Sequence, residues 1–134
     1  MRISVVAGVL RDDVGRVLLA ERKNDLLFNG LWEFPGGKRD ESEAPERALG
    51  RELAEELGIQ ITKYRQLASV DHDYVDRLVH IDFFLVTQWC GEVKAMDGQA
   101  LRWVLPREID KTEVLAADVD VVDMLTALQE LRLA

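Results

Sequence analysis

Three glutamates stand close together in the segment LGRELAEELG at positions 49–58, namely Glu52, Glu55 and Glu56. In a helix, residues at i, i+3 and i+4 lie on one face, where like charges repel by about 0.2–0.5 kcal/mol for each pair. Arg51 adjoins this group and does not separate its members. The pattern has two interpretations: a solvated helix face, or a site for a hard divalent cation such as Mg²⁺, which favours carboxylate oxygens. The glutamate spacing alone leaves both open.

The element that must position these glutamates is a helix predicted over Pro45–Leu57. Proline suits the first turn of a helix, and Gly58 follows at the position where glycine ends one. The apolar residues recur at helical spacing, so they should face the core and leave the carboxylates on the opposite side. These residues are Ala48, Leu49, Leu53 and Leu57.

The turn PGGK at 35–38 comes shortly before this helix, and glycine there lets the backbone approach a ligand or a metal. A purely structural turn would explain it equally well. The spacing distinguishes the two interpretations: Gly37 is followed by five residues, Glu43 and seven residues before the run RELAEELGI at 51–59. This arrangement resembles the Nudix box, G-x5-E-x7-R-E-U-x-E-E-x-G-U, where U is a bulky aliphatic residue. Every specified position of the box is filled.

The resemblance extends beyond the box. LWEFPGGK at 31–38 and an early hairpin ending in Arg22 are similar to the MutT-like branch of the Nudix family. The resemblance implies an α/β protein with the Nudix fold, a mixed β-sheet sandwiched between helices (α/β/α), in a single domain over 1–134. It also implies hydrolysis of nucleoside triphosphates to monophosphate and pyrophosphate, with Mg²⁺ as the cofactor or Mn²⁺ in its place. Such enzymes serve nucleotide pool sanitisation. By family position, the implied metal ligands are Glu52, Glu55, Glu56, the carbonyl of Gly36, and Asp97.

The same resemblance implies catalytic roles. Glu52 would help to deprotonate the attacking water, and Arg51 would orient Glu52. Lys38 would stabilise charge on the leaving phosphate, whereas Glu43 would support Arg51 or an outer metal. Simpler explanations stay open for two of these residues: a surface lysine for Lys38, and an Asp-Gly turn for Asp97.

Four further residues are implied in substrate binding: Arg22 at the phosphates, Phe34 and Arg77 in the pocket, and Asp118 at the base. Their structural alternatives are an edge arginine, a core phenylalanine, a hairpin arginine and a helix N-cap. Asp118 stands where MutT has a base-reading Asn, and an ionised Asp only accepts hydrogen bonds. LAADVDVVDML at 115–125 and RLVHIDFF at 77–84 resemble the CTP pyrophosphohydrolase branch. We therefore expect CTP-type or modified nucleotides as substrates, with 8-oxo-dGTP as the alternative.

The remaining elements are predicted from periodicity. Strands are expected at 2–10, at 17–22 as the second arm of a hairpin, and near 65–74, 77–88 and 99–104, with a loop at 23–31. In the fourth of these strands, Val79, Ile81, Phe83 and Leu85 should share one face. A C-terminal helix from Asp118 should bury a stripe of Val121, Val122, Leu125 and Leu128.

Composition limits the class of protein. A net charge of −8 argues against a nucleic acid polymer as partner, and no apolar run reaches the roughly 18–20 residues that span a bilayer. The single cysteine, Cys90, favours the cytoplasm. We expect a monomer or homodimer. Two other classes stay open: a non-catalytic Nudix-like binding module, and an acidic interaction domain whose glutamates merely face water.

Overall fold

The computed structural model describes residues 2–23 and 28–133, with side chains to Leu131, so 24–27 of the predicted loop lie outside it. Its strands are β1 (Arg2–Leu10), β2 (Val17–Glu21), β3 (Trp32–Glu33), β4 (Gly36–Lys38), β5 (Gln60–Tyr74), β6 (Arg77–Cys90) and β7 (Leu101–Val104). Its α-helices are α1 (Pro45–Leu57) and α2 (Val119–Leu133), and single 3₁₀ turns cover Pro106–Glu108, Lys111–Glu113 and Ala116–Asp118. Neither described α-helix combines the length and apolar character needed to cross a membrane.

The strands form two sheets. The larger is mixed, with the order β4-β1-β6-β5, and β1 runs parallel to β6 but antiparallel to β4. The register of β1 on β6 pairs Arg2 with Leu78 and Leu10 with Val86. The smaller sheet has the order β3-β2-β7 and is antiparallel. Since successive side chains of a strand point to opposite faces, β1 and β6 contribute to a core on each side of the larger sheet.

One core lies under each helix. On one side, Ala48, Leu49, Leu53 and Leu57 of α1 pack with residues that include Val6, Leu10 and Phe84. On the other side, Val121, Val122 and Leu125 of α2 pack with Val9, Leu19 and the predicted row Val79, Ile81, Phe83 and Leu85. The layered α/β/α arrangement with a mixed sheet is thereby confirmed.

Helix α1 has the predicted bounds. Pro45 occupies its first turn, and Gly58 takes the left-handed conformation at φ 69° while its N–H donates to the carbonyl of Ala54. A residue with a Cβ would be strained there, so glycine ends the helix after Leu57. Glu52 and Glu56 lie beside the four buried apolar residues and are partly buried, whereas Glu55 is exposed, so the expectation that the carboxylates lie on the opposite side of α1 was wrong.

Three other predictions about the elements were wrong in detail. Strands β1 and β2 belong to different sheets, and among the described residues an isolated bridge between Arg11 and Val17 joins their adjacent ends, because β6 pairs along one edge of β1 and β4 along part of the other. Strand β5 begins at Gln60, five positions before the predicted start. The prediction missed these residues because irregularities in the pairing with β6 disturb the alternation of apolar and polar side chains. Leu128 is 39% exposed and does not complete the buried stripe of α2.

Candidate active site

The two glycines of β4 bring the backbone close to neighbouring groups. A Cβ at Gly36 would overlap the backbone of Val6 on the adjacent strand. A Cβ at Gly37 would overlap the carboxylate of Glu52 on α1. Glycine is therefore required at both positions if the glutamate face of α1 is to lie directly against β4.

Arg51 joins the predicted catalytic residues in one ion-pair network. Its Nε and Nη2 donate to the two carboxylate oxygens of Glu43 at 2.9 and 2.8 Å, and its Nη1 donates to Oε1 of Glu52 at 3.0 Å. Nη2 also donates to the carbonyl of Lys38 at 3.2 Å. The hydrogen bonds from Arg51 lower the pKa of Glu43 to about 2. This bidentate pairing fixes the plane of the guanidinium, which in turn holds Glu52.

Glu56 is the most strongly perturbed carboxylate of the helix. Burial, followed by the charges of Glu52 and Glu33, raises its pKa to about 8, although the Gly36 N–H stabilises the ionised form. The charge of Asp97 acts in the same direction. A backbone hydrogen bond joins the 96–99 loop to α1: the Met96 N–H donates to the carbonyl of Glu56 at 3.0 Å. The structure thus brings Asp97 towards the glutamate face.

The five predicted metal ligands supply only carboxylate and carbonyl oxygens, the donors that Mg²⁺ and Mn²⁺ prefer. Within residues 2–23 and 28–133, no three acidic, histidine or cysteine side chains converge closely enough to chelate one ion. Two of the glutamates are instead paired with Arg51, whose Nη1 lies 3.0 Å from an oxygen of Glu52 and 3.5 Å from an oxygen of Glu55. Burial and the repulsion from neighbouring carboxylates raise the pKa of Glu56, and a divalent cation relieves that repulsion, so these residues fit such an ion.

A cavity of about 130 Å³ opens beside β4. Six of the predicted residues line it: Arg22, Phe34, Gly36, Lys38, Arg77 and Asp118. The glutamates of α1 are not among its lining residues; they adjoin it through the contact between Glu52 and Gly37. The structure therefore brings the predicted substrate residues together in one cavity, with Gly36 in its lining and Glu52 next to it through Gly37.

Asp118 lines this cavity as a buried residue, with only 4% of its surface exposed. Its Oδ2 accepts a hydrogen bond from the Phe34 N–H at 3.0 Å, so this oxygen joins the residue before α2 to the PGGK turn. Burial, with a smaller effect from the charge of Glu33, raises the pKa of Asp118 to about 7. The expectation of an ionised carboxylate that only accepts hydrogen bonds needs correction, because both protonation states are populated near neutral pH.

The other predicted substrate residues differ in their surroundings. Arg22 lies just beyond β2 and pairs with Glu33 at 2.7 Å. The Nε of Arg77 is buried without a hydrogen-bond partner among the described residues, and Oδ1 of Asp76 lies 3.7 Å away. Phe34 is a core residue whose ring meets Phe83 edge-to-face at 6.2 Å, and it also lines the cavity.

Two polar residues of the cavity lining, Glu33 and Tyr74, were not among the predicted site residues. Glu33 stands inside the quoted LWEF segment, next to PGG, and a carboxylate beside glycines was the signal that could have identified it. Its charge adds to the effect of burial in raising the pKa of both Glu56 and Asp118, so Glu33 lies close enough to interact with both carboxyls. Tyr74 ends β5 and reaches the cavity only because of the way the strands pack. No local spacing marks Tyr74 in the sequence.

Comparison with known proteins gives consistent matches. Residues 5–124 match the model of the NUDIX domain family. An 8-oxo-dGTP diphosphatase of Proteus vulgaris is 43% identical over 72% of this chain and 87% of its own length. A CTP pyrophosphohydrolase of Escherichia coli is 37% identical over 97% of this chain and 96% of its own. The solution structure of the E. coli ORF135 protein matches with a TM-score of 0.84 and 36% identity, covering 98% of this chain and 93% of the other.

The family match covers the helix α1, the β4 glycines and every residue of the cavity lining except Ile3 in a single stretch. The similarity to both curated relatives exceeds 35% identity over most of the chain. This chain therefore belongs to the NUDIX domain family and is a hydrolase of that family.

Proposed function

We propose that this protein is an Mg²⁺-dependent nucleoside triphosphate pyrophosphohydrolase that releases a nucleoside monophosphate and pyrophosphate, with Mn²⁺ as a possible substitute. One observation carries the proposal: a cavity lined by the buried Asp118 opens beside a glutamate face that Arg51 holds against β4. The cavity provides a place for the base, and the glutamate face a place for the metal-bound phosphates.

Each side chain at the glutamate face has a role in this proposal. Glu52, Glu55, Glu56, Asp97 and the Gly36 carbonyl would hold the cation, which neutralises the polyphosphate and acidifies the attacking water. Glu52 accepts the proton of that water, since its pKa is raised by burial and Arg51 restrains its carboxylate. Glu43 keeps Arg51 in place through two hydrogen bonds.

The cations of the cavity would contact the phosphates. Lys38 is exposed at the end of β4, next to the glycines, where an ammonium group can stabilise charge on the leaving pyrophosphate. Arg22 lines the same cavity and already pairs with a carboxylate, Glu33. Arg77 lines it from the start of β6. These three side chains supply the positive charge that an acidic protein needs near a polyphosphate.

The base preference follows from Asp118. Its Oδ2 is taken by the Phe34 N–H, so the other carboxyl oxygen is available to a ligand. In the ionised form that oxygen accepts from an exocyclic amine, as on cytosine; in the protonated form the carboxyl can donate to a carbonyl, as on 8-oxoguanine. We favour CTP-type and modified or oxidised nucleotides, with an 8-oxo-dGTP diphosphatase as the second candidate. Both names occur among the relatives.

A substrate panel tests the proposal. Pyrophosphate release would be measured with Mg²⁺ for CTP, dCTP, 5-methyl-dCTP, 8-oxo-dGTP and dGTP. We expect turnover of at least one cytosine nucleotide, and a strong preference for 8-oxo-dGTP would favour the second candidate. Absence of turnover with all five would indicate a binding module.

The matched variants are Glu52→Gln and Glu46→Gln, two neutralisations on the same helix. Loss of the metal ligand and base should reduce turnover by about 10²–10⁴-fold for Glu52→Gln. Glu46 is exposed in the first turn of α1, and its variant should keep full turnover. Circular dichroism and thermal melting establish that both variants are folded. Equal turnover of Glu52→Gln and Glu46→Gln would show that the glutamate face only solvates the helix.

A further inference from the structure

The residues before α2 are held by hydrogen bonds from two sides of the cavity. On one side, the Leu115 N–H donates to the carbonyl of Trp32 at 3.0 Å, and the Phe34 N–H donates to Asp118 at 3.0 Å. On the other side, the Ala117 N–H donates to the hydroxyl oxygen of Tyr74 at 3.4 Å. The carboxylate of Asp118 therefore contacts Phe34, next to the PGGK turn, and the preceding residue, Ala117, contacts Tyr74 at the end of β5.

The ring of Tyr74 is fixed before its hydroxyl makes this contact. It meets the ring of Phe28 edge-to-face at 5.2 Å and lies 4.4 Å from the ring of His72. A ring that is packed on two sides has few orientations available, so the position of its hydroxyl oxygen is well defined. That oxygen accepts from Ala117 and still has a proton to donate.

We propose that Tyr74 is a positioning residue for base selectivity: its hydroxyl holds the backbone at Ala117 and so sets the depth of the Asp118 carboxyl in the cavity. This inference rests on the proposed function, in which Asp118 meets the nucleobase. Selectivity between two bases is a difference between hydrogen-bond energies, and these depend steeply on distance and angle. A small shift of Asp118 therefore changes selectivity. Glu52 and Arg51 lie on α1, a separate element, and among the described residues neither hydrogen-bonds to Ala117.

The variant Tyr74→Phe removes the hydroxyl and keeps the ring contacts. Tyr64→Phe is its matched control, because Tyr64 lies on the same strand but packs against Phe84, beneath the other helix. The values of kcat and KM would be measured for dCTP and 8-oxo-dGTP. Loss of a neutral hydrogen bond should raise KM for the preferred triphosphate about three- to tenfold and reduce the selectivity ratio by the same factor. Tyr64→Phe should leave both parameters unchanged.

A double-variant cycle with Asp118→Asn tests whether Tyr74 acts through Asp118. If it does, Tyr74→Phe causes no further loss of selectivity once Asp118 has been replaced. Independent, multiplying effects of the two substitutions would overturn the inference. A fall in kcat shared by both triphosphates, with KM unchanged, would overturn it as well, because that result indicates damage to the catalytic face.

Hydrogen exchange of the Ala117 amide separates this inference from the proposed function. We expect exchange at Ala117 to become several-fold faster in Tyr74→Phe and to stay unchanged in Tyr64→Phe. Unaltered exchange in Tyr74→Phe would overturn the inference even in an active enzyme. Failure of the unmodified protein to hydrolyse any triphosphate would overturn the proposed function and the selectivity role with it, while the exchange rate would still report the Tyr74–Ala117 hydrogen bond.

Discussion

Asp118 is a buried carboxyl whose environment favours the protonated form. Its pKa is raised from the ordinary 3.8 to about 7, chiefly by burial, although the Phe34 N–H stabilises the charge. Between these two pKa values the folded protein binds more protons at this site than the unfolded chain does. The free energy of unfolding contributed by Asp118 therefore falls as the pH rises from about 4 to about 7.

Replacement of this carboxyl by an amide should remove that pH dependence. In Asp118→Asn the amide oxygen can still accept from Phe34, and no charge has to be buried. We expect the variant to be more stable than the unmodified protein at pH 8, by at most about 4 kcal/mol, and to match it near pH 4. Urea denaturation at both pH values measures the difference.

The neighbouring residue Asp120 provides the control for this measurement. It is exposed in the first turn of α2, so Asp120→Asn should change stability only slightly and without a step between pH 4 and pH 7. A stability gain for Asp118→Asn that is the same at pH 4 and pH 8 would contradict the raised pKa.

At the scale of elements, the contact between β4 and α1 determines where the glutamate face lies. The backbone of β4 pairs with β1, and Gly37 leaves room for the Glu52 carboxylate. The position of the catalytic glutamate thus depends on the absence of one methyl group on a neighbouring strand.

Gly37→Ala should therefore lower turnover by about 10²-fold or more, because the added Cβ displaces the Glu52 carboxylate. Gly50→Ala is the matched control on α1. A Cβ at Gly50 meets nothing within 4 Å, so the substitution should keep activity and stabilise the helix by about 0.5–1 kcal/mol. Steady-state kinetics and thermal melting of both variants provide the comparison. Full activity of Gly37→Ala would show that Glu52 can function from a different position.

The sequence predicted an element correctly where a residue type is favoured at one particular position of that element. Helix α1 was predicted with its observed bounds because Pro45 suits only a first turn and Gly58 adopts a positive φ. The β1–β2 hairpin was predicted wrongly because a turn between two apolar runs does not reveal which edge of β1 another strand will occupy. Non-local pairing of this kind has no local signal.

The same limit applies to the site. The residues of the box are close in sequence, so their spacing could predict the Arg51 network that the structure contains. Tyr74 and Asp118 come together only through packing of β5 on the residues before α2, and a single sequence does not contain that contact. The protonation of Asp118 depends on its burial, which only the fold determines.

At the scale of the whole molecule, the net charge is −8, and several of the negative charges lie around Glu56. Burial first, and then the charges of Glu52, Glu33 and Asp97, raise the pKa of Glu56, so ionisation of Glu56 in the folded state without a cation is opposed by desolvation and by repulsion. A divalent cation that binds the native state but not the unfolded chain should relieve this repulsion and stabilise the protein.

We therefore expect millimolar Mg²⁺ to raise the melting temperature by several degrees, since about 2.7 kcal/mol is gained at a hundredfold excess over Kd. Glu56→Gln should melt higher than the unmodified protein without Mg²⁺ and gain little when it is added. Potassium chloride at matched ionic strength controls for general screening. An equal response of the unmodified protein to potassium and to magnesium would contradict a specific site.

The parallel pairing of β1 with β6 has a consequence for how the molecule folds. Arg2 meets Leu78 and Leu10 meets Val86, so β1 leaves the ribosome well before β6 and has no partner in β6 until the intervening chain has followed it. Closing so long a loop is slow, and the apolar run of β1 stays exposed meanwhile. Charged residues such as Arg2 and Arg11 flank that run and oppose aggregation of chains that have not yet folded. The strand at the centre of the sheet is thus also the segment that most needs protection during synthesis.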